Sequence, residues 1–400
     1  MTPVIRLLPN AGPAALRREM QQIGVSPEGI DWMMDKCDAL RLRVDGLANP
    51  AVLILKQKML SLGGEAAVSR QALVGGSAKG ADNAALLIGS RRQLQLLIPY
   101  LRQQPFALPA VAQQLSDILA RLGQTPPPVT YANGYIRGSL HFQRPCIMGI
   151  LNATPDSFYD GGQYTDVDKA AEQALRLVED GADIVDIGGA SSRPGFTPVD
   201  AATEQSRILP LIRQLAPQLA VPMSVDTDKV DVAEAALSAG ASMINYTGDP
   251  QPGLFALAGR SQTPLIVMHK GGGPRVLENI HDFFYEACDM ARQAGLAEEQ
   301  LILDPGIGFD KDPEENLTIL QNLEQFSVYG RPLLLGMSNK RFLGAVTGMP
   351  VTERTLAGSV AAALTWGRGA SIFRVHDAAA ARQALAVAEA IGNGKIKEKE

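Results

Sequence analysis

Eight short apolar segments recur along residues 145–392 of this 400-residue chain, and segments with helical periodicity lie between them. The apolar segments begin near Ile147, Asp183, Pro222, Ser242, Pro264, Leu301, Arg331 and Ser371. Apolar strands that alternate with amphipathic helices are typical of a parallel sheet buried on both faces. Eight such units in about 250 residues predict an α/β fold, a closed (β/α)8 TIM barrel. The alternative is an open doubly wound sheet, but no Gly-x-Gly-x-x-Gly follows the first strand.

A stretch rich in proline and glycine, LGQTPPPVT, precedes the barrel segment and marks a linker. Before it, residues 1–125 predict a smaller α+β domain of unknown role. In that domain RLRVDG and AALLIGS predict strands, RRQLQLLIPYLRQQ predicts a helix, and residues 51–68 predict one helix interrupted at Gly63 and Gly64. Residues 126–144 hold the linker and a hairpin with an Asn-Gly turn, which we expect to cover one end of the barrel.

The barrel is expected over residues 145–392, and residues 393–400 form a charged tail that we expect to be frayed. The formal net charge of −5 gives no electrostatic signature of nucleic acid or membrane binding. No apolar run reaches the roughly 18 residues of a membrane span. The three cysteines are odd in number and widely spaced, so we expect buried thiols rather than disulfides or zinc, in a cytoplasmic protein.

Polar residues end or follow every one of the eight predicted strands. They are Asn152, Asp186, Asp226, Asn245, His269, Asp304, Ser338 with Lys340, and Arg374 with His376. A single Asp or Asn after a strand is as readily explained as a turn former or a helix cap. Because the carboxyl ends of all eight strands of a barrel meet at one rim, the whole set predicts an active site there.

Four of these residues suit recognition of a nitrogen-rich heterocycle: Asp226, Asn245, Asp304 and Lys340. Two carboxylates and an amide can accept and donate in the plane of such a ring, and Lys340 can donate to an exocyclic oxygen. The alternative is a carboxylate-rich magnesium cage, which the lysine cation disfavours.

A second set suits a phosphate or pyrophosphate. Arg374 and His376 alternate along the eighth strand and so lie on one face, and Asn152 follows the neighbouring first strand. Asn152 also offers an oxygen to a Mg²⁺ ion bound to that phosphate. The alternative for Arg374 is a surface ion pair with Asp377.

Two loops rich in glycine and proline complete the rim, NATPDSFYDGG after the first strand and GGASSRPGFTP after the second. Loops of this length beside a site are candidates for lids, although solvated loops are the simpler interpretation of each. Arg193 in the second loop is a candidate contact for a carboxylate or a second substrate.

Taken in order, IMGILNATPDSFYDGG, GADIVDIGGASSRPG, SVDT, MINYTG, VMHKGG, DPGIGFDK, GMSNKRF and FRVHD resemble dihydropteroate synthase across residues 145–390. The resemblance implies a transferase of folate biosynthesis that condenses 6-hydroxymethyl-7,8-dihydropterin pyrophosphate with para-aminobenzoate and releases pyrophosphate. It also implies Mg²⁺ as cofactor and sulfonamides as mimics of the second substrate. We expect a homodimer with small-molecule substrates.

The resemblance assigns roles to residues that match the family motifs. The pterin contacts would be Asp226, Asn245, Asp304 and Lys340, and the diphosphate contacts would be Asn152, Arg374 and His376, with Mg²⁺ on Asn152. The para-aminobenzoate site would be bordered by Ser192, Arg193, Pro194, Ser338 and Phe158. The residues expected to serve catalysis are Asp304, Lys340, Arg374, His376 and Asp160.

The chain departs from the family pattern at several positions. Ala190 stands in place of the usual Glu, Tyr246 in place of Asp, Asn339 in place of Arg, and Lys270 with Gly271 in place of Met-Gln. These departures permit a catalytically silent pterin-binding protein as a rival hypothesis, and a second rival is a pterin-dependent methyltransferase, whose barrel also binds a reduced pterin. The predicted diphosphate contacts argue against the methyltransferase, which has no pyrophosphate to hold.

Overall fold

The structure is a computed structural model, and it describes residues 13–37, 39–73, 83–153, 166–190 and 199–393. The chain divides into two compact units, Met1–Leu122 and Gly123–Glu400. Both are built from helices and strands, and each has its own hydrophobic core.

The first unit contains a three-stranded antiparallel sheet with strand order β1-β3-β2. Its strands are β1 (Ala39–Leu47), β2 (Glu65–Val68) and β3 (Asn83–Ser90). Its helices are α1 (Pro13–Ile23), α2 (Pro27–Cys37), α3 (Asn49–Ser61), α4 (Arg70–Leu73), α5 (Arg91–Leu101) and α6 (Leu108–Arg121). The core joins one face of the sheet to α3, α5 and α6 through Val52, Leu55, Leu87, Leu94 and Leu115.

One element of the first unit differs from the sequence-based prediction. The helix expected over residues 51–68 ends at Ser61, and residues Glu65–Val68 form β2 instead. The chain turns at Gly63, whose φ of 76° favours glycine. The segment EAAV therefore adds a strand to the sheet by pairing with β3, and tertiary pairing prevails over its helical composition.

The second unit is a closed barrel of eight parallel strands, as the sequence predicts. The barrel strands are β6 (Cys146–Asn152), β7 (Ile184–Gly188), β8 (Met223–Thr227), β9 (Met243–Tyr246), β10 (Leu265–Met268), β11 (Leu301–Asp304), β12 (Leu333–Gly336) and β13 (Ala370–Val375). They follow one another around the barrel in chain order, and β13 pairs with β6 to close it. The carboxyl ends of all eight strands therefore form one rim.

Helices surround this barrel and cover the outer face of its strands. They are α7 (Asp166–Glu179), α8 (Ala201–Leu215), α9 (Val230–Ala239), α10 (Pro252–Ser261), α11 (Val276–Gln293), α12 (Pro313–Gln321), α13 (Arg341–Thr347), α14 (Thr355–Trp366) and α15 (Ala378–Asn393). Short 3₁₀ helices occupy Glu298–Gln300, Leu323–Tyr329 and Val351–Glu353. Outward-facing strand residues such as Val185, Val225 and Phe373 pack against the helices in one large core.

The hairpin of β4 (Val129–Ala132) and β5 (Arg137–Leu140) lies at the amino end of the barrel. Its Val129 and Leu140, with Phe142, share one apolar cluster with inward-facing barrel residues, among them Met148, Ile184, Met243, Ile302 and Ile372. The hairpin is anchored by the side-chain amide of Gln300, which donates to the carbonyl of Thr130 at 2.9 Å. Apolar side chains therefore fill the amino half of the barrel, and polar side chains are confined to the other half.

Two further predictions are tested by the described residues. No disulfide joins the three cysteines, all of which lie in the described ranges, but Cys37 is exposed and Cys288 is half-buried, which corrects the expectation that every thiol is buried; Cys37 lies in the last turn of a helix on the surface. Within the described ranges, no helix combines the length and apolar character that a membrane span requires.

Candidate active site

The inner face of the barrel changes from apolar to polar toward the carboxyl rim. Alternation along each strand turns even-numbered residues inward on β6, β7, β8 and β13. The register places Asp226 of β8 directly beside Asn245 of β9, and Gly188 of β7 on the other side of Asp226. Asp186 lies one inward position deeper, beside Ser224. Three neighbouring strands thus bring two carboxylates and an amide together.

Arg374 reaches across the barrel interior and joins this group. Its Nε donates to Oδ2 of Asp186 at 2.6 Å, and its terminal nitrogen donates to Oδ2 of Asp226 at 2.5 Å. The side chains of Arg374, Asp226 and Asp186 are 18%, 12% and 0% exposed. Asn245 also donates from Nδ2 to Oδ2 of Asp186, at 3.0 Å. Asp186, Asp226, Asn245 and Arg374 form what we call the inner cluster.

Burial and neighbouring charges shift the pKa of two members of the inner cluster, Asp226 and Arg374. Burial raises the pKa of Asp226 to about 6, and the nearby charge of Asp186 adds to this rise, whereas the guanidinium of Arg374 opposes it. The two carboxylates raise the pKa of Arg374 above its ordinary value, although burial acts in the opposite direction. Arg374 is therefore a permanent cation that offsets two buried carboxylates.

Asp304 ends β11 and begins a tight loop. Its Oδ1 accepts from the backbone N–H of Gly306 at 2.7 Å, and burial raises its pKa to about 6 against that hydrogen bond. Gly306 has a φ of 70°, and a Cβ there would overlap the carbonyl oxygen of His269. Lys311 closes the loop by donating to the carbonyls of His269, Gly306 and Phe309 at 3.2, 3.0 and 3.2 Å. The loop thus holds the carboxylate rigidly at the rim.

Lys340 lies at the end of the loop that follows β12, the strand beside β11 that ends in Asp304. Its Nζ stands 3.9 Å from the centroid of the Phe309 ring, a cation–π contact. Burial lowers the pKa of Lys340 to about 8, and the positive charge of Arg374 lowers it further, while Asp304 and Asp226 oppose the shift. Lys340 is therefore a cation whose charge can be lost just above neutral pH.

Ser338 and His376 form a second pair at the rim. The Oγ of Ser338 lies 3.1 Å from Nδ1 of His376, and it also accepts from the backbone N–H of His376 at 3.3 Å. His376 is exposed, and Ser338 is half-buried. The remaining residue of the predicted diphosphate set, Asn152, is half-buried and sits on the inward face at the end of β6.

The predicted pterin and diphosphate sets are not separate in space. Arg374 was assigned to diphosphate and Asp226 to pterin, yet the two side chains are hydrogen-bonded to each other. The alternative of a surface pair between Arg374 and Asp377 is wrong: Arg374 turns inward, and Asp377 instead accepts from the backbone N–H of Ala380 at 2.8 Å. Arginine at the eighth strand is therefore part of the floor of the site.

Five predicted site residues lie outside the described residues: Phe158, Asp160, Ser192, Arg193 and Pro194. Two residues at the site were not assigned a role from the sequence. Asp186 is an aspartate inside an otherwise apolar strand, IVDIG, and that isolation is the signal that points to it. Lys311 carries no such signal, because a lysine after a loop looks like any solvated lysine.

The departures from the family pattern lie mainly outside the inner cluster. Tyr246 faces outward and is 1% exposed, and its hydroxyl accepts from Nε2 of Gln251 at 2.7 Å. It packs in the core between strands and helices, on the outer face of β9. Asn339 adopts a φ of 60°, a conformation that asparagine tolerates better than most residues, and Lys270 is exposed.

Comparisons with known proteins agree with this geometry. Residues 148–376 match the family described as pterin binding enzyme. A dihydropteroate synthase from Synechocystis sp. is 40% identical over 62% of this chain and 91% of its own length. This chain belongs to the dihydropteroate synthase family. The resemblance found in the sequence is confirmed. The predicted transferase class and the predicted role in folate biosynthesis are confirmed with it.

Solved structures of dihydropteroate synthases resemble this chain as well. The enzyme from Xanthomonas albilineans, solved with 4-aminobenzoic acid, is 41% identical, with a TM-score of 0.61 over 64% of this chain and 95% of that one. A probable bifunctional folylpolyglutamate synthase/dihydropteroate synthase from Halobacterium salinarum is 36% identical. That alignment covers 96% of this chain and 46% of the relative, so the likeness includes the first unit.

Proposed function

We propose that the rim of this dihydropteroate synthase binds 6-hydroxymethyl-7,8-dihydropterin pyrophosphate and joins its methylene carbon to the amine of para-aminobenzoate. The observation that carries the proposal is the inner cluster with Asp304 and Lys340 beside it. These groups offer planar acceptors and donors inside a largely buried space, which suits the edge of a pterin ring. The bond to the leaving oxygen breaks with its electron pair on pyrophosphate, the amine attacks the carbon, and the amine loses a proton.

The pterin is oriented by four residues in this proposal. Asp226 and Asp304 accept from ring N–H and amino groups, Asn245 donates and accepts, and Lys340 donates to the ring carbonyl oxygen. Asp304 is fixed by the backbone N–H of Gly306, so its carboxylate is already in place when the pterin arrives. As the pyrophosphate leaves, positive charge develops on the pterin, and the nearby carboxylate of Asp304 stabilises it.

The diphosphate is bound by Arg374, His376 and Asn152. A guanidinium has five N–H donors, and among the described residues Asp186 and Asp226 accept from two different nitrogens of Arg374. Donors therefore remain for phosphate oxygens, while the carboxylates hold the guanidinium plane still. These groups stabilise the negative charge that builds on the leaving pyrophosphate.

Mg²⁺ is part of this proposal. Among the described residues no group of three His, Cys, Asp or Glu side chains could hold a metal alone. Asn152 offers one hard oxygen on the inward face, and Mg²⁺ prefers a few protein oxygens together with phosphate oxygens and water. The donor set therefore fits an ion shared between Asn152 and the diphosphate, where it would neutralise charge on the leaving group.

The para-aminobenzoate site lies toward solvent in this proposal. Ser338 borders it, and the residues that the family motifs assign to para-aminobenzoate, Ser192, Arg193, Pro194 and Phe158, would act there together with Asp160. The dihydropteroate synthase of Yersinia pestis has been solved as a sulfonamide drug complex. We propose that sulfonamides compete with para-aminobenzoate at the same place on this chain.

One assay tests the function. The purified protein with both substrates and Mg²⁺ is expected to form dihydropteroate and release pyrophosphate, followed by chromatography and a pyrophosphate assay. Lys340→Ala should lower kcat/KM by about 100-fold, because a buried donor to the substrate is lost. The exposed Lys270→Ala is the control, with a change of less than about two-fold. Pyrophosphate release that proceeds equally without the amine would mean hydrolysis instead.

The pH dependence follows from the shifted groups. Asp226 and Asp304 bind substrate as carboxylates, so kcat/KM should fall as the pH drops below about 6. Lys340 acts as a cation, so kcat/KM should also fall as the pH rises above about 8. Lys340→Arg should move the alkaline limb upward, because a guanidinium keeps its proton. Burial also lowers the pKa of Lys311 to about 8, so Lys311 is the other candidate for the alkaline limb. If Lys311→Arg moves that limb and Lys340→Arg does not, the assignment of the limb to Lys340 is wrong.

We also propose that the chain forms a homodimer through α14 and α15. Leu356, Val360 and Leu364 lie along one face of α14 and are 75%, 47% and 68% exposed, and Val387 and Ile391 are exposed on α15. A continuous apolar face of this kind marks an interface between proteins. Sedimentation should give twice the chain mass, and Leu356→Asp with Leu364→Asp should give the mass of one chain. A monomeric unmodified protein would contradict the proposal.

We propose the cytoplasm as the site of action. The three cysteines form no disulfide, and reduced thiols are typical of that compartment.

A further inference from the structure

We infer that Asp186 is a positioning residue, which holds the guanidinium of Arg374 and the amide of Asn245 in the orientation that the pterin substrate requires. The inference rests on the proposed function. It deepens that function by naming a residue that acts through others rather than by touching substrate.

The first support is the burial of Asp186. Its side chain is 0% exposed, and it lies in the middle of β7 among apolar residues. A buried carboxylate is costly unless it is paired and hydrogen-bonded. Asp186 meets that condition through Oδ2 alone, which accepts from Arg374 at 2.6 Å and from Asn245 at 3.0 Å, whereas Oδ1 is buried with no hydrogen-bond partner among the described residues. Both of its partners belong to the proposed substrate site.

The second support is the depth of Asp186 compared with Asp226. Both carboxylates hold Arg374, but Asp226 lies one inward position closer to the rim and is the one that the pterin would engage. A pterin bound to Asp226 competes for the oxygen that Arg374 uses. Asp186 is deeper and keeps its bond to Nε of Arg374, so it remains the fixed anchor while Asp226 is shared.

The third support is the effect on Asn245. A side-chain amide can be turned either way, and only one orientation offers its oxygen to a ligand N–H. The bond from Nδ2 to Asp186 fixes that orientation, and the carbonyl oxygen is then directed away from Asp186. Asp186 thus orients one donor of the site, the guanidinium of Arg374, and one acceptor, the amide oxygen of Asn245.

Asp186→Asn tests the inference, with Ser224→Ala as the matched control. Ser224 is the register partner of Asp186 on β8, is 0% exposed, and its hydroxyl has no hydrogen-bond partner among the described residues. Asp186→Asn should raise KM for the pterin pyrophosphate by about ten-fold or more, since hydrogen bonds to a charged group are lost. KM for para-aminobenzoate should change by less than about two-fold, and Ser224→Ala should change neither.

A double-mutant cycle shows whether Asp186 acts through Arg374. In an Arg374→Ala background, Asp186→Asn should cost clearly less in kcat/KM than in the unmodified protein, since only its effect through Asn245 remains, and it should raise the melting temperature, because it removes a buried charge that no longer has its cation. An equal rise of both KM values, or a loss in the Arg374→Ala background as large as in the unmodified protein, would overturn the inference. The melting-temperature arm needs no turnover, so it judges Asp186 even if the synthase assay fails.

Discussion

Replacing Arg374 with alanine is expected to lower the free energy of unfolding by about 3 to 5 kcal/mol, because it leaves two buried carboxylates without their cation. Asp186 and Asp226 are 0% and 12% exposed, so water replaces little of the lost interaction. The same change removes the proposed diphosphate donor, and kcat/KM should fall by about 1000-fold. Urea unfolding and steady-state kinetics measure the two effects.

The loss of stability should also depend on pH. Arg374 opposes the rise in the pKa of Asp226 to about 6, so its removal raises that pKa further. The destabilisation should be largest at neutral pH and should shrink as the pH falls and the carboxyl group takes up a proton. Arg260→Ala is the control, because Arg260 pairs with Glu234 where both side chains are 57% exposed, and such pairs contribute about 1 kcal/mol or less. Equal losses for the two variants would contradict the role of burial.

Gly306→Ala is expected to cost about 3 kcal/mol or more in the free energy of unfolding, through two effects that add. An alanine is strained at a φ of 70°, and its Cβ would overlap the carbonyl oxygen of His269. Relief of that overlap requires the loop after β11 to move, and the loop carries the N–H that holds Asp304. Pterin binding measured by calorimetry should weaken together with stability.

The chain offers a matched control for this glycine. Gly271 also has a positive φ, of 92°, but a Cβ there meets no atom within 4 Å. Gly271→Ala should therefore show only the backbone strain, about 1 to 2 kcal/mol. If Gly306→Ala is no more costly than Gly271→Ala, then the close approach of the loop to β10 is not a constraint on the site.

The barrel could be predicted from sequence because its signal is repeated. Each barrel strand is buried on both faces and is followed by a helix that covers it. The pattern of an apolar run and an amphipathic helix therefore occurs eight times in the sequence. The first unit gives no such repetition, and β2 was predicted as a helix because four residues, EAAV, fit either state until β3 pairs with them. Helices α1, α2 and α6 were not predicted either.

The location of the site could also be predicted, because barrel geometry alone brings the strand ends to one rim. The hydrogen bonds between the side chains of the site could not be predicted. Arg374 and Asp186 are separated by 188 positions, and nothing in the chain around either residue indicates that one side chain crosses the interior to meet the other. The sequence therefore suggests two separate sites, one for phosphate at Arg374 and one for pterin at Asp226. In the structure the two side chains are hydrogen-bonded and belong to one site. The individual residue roles remain predictions that the variants above would test.

Apolar side chains of the hairpin β4–β5 and of the barrel strands together close the amino end of the barrel. Because the amino end is closed, ligands can enter only from the carboxyl rim. The substrate that binds deeper must therefore bind before the substrate that lies above it. The pterin, in the binding mode proposed above at the inner cluster, would then bind first in an ordered kinetic scheme. Para-aminobenzoate that binds before the pterin would block the entrance to the deeper site. Excess para-aminobenzoate should therefore slow turnover.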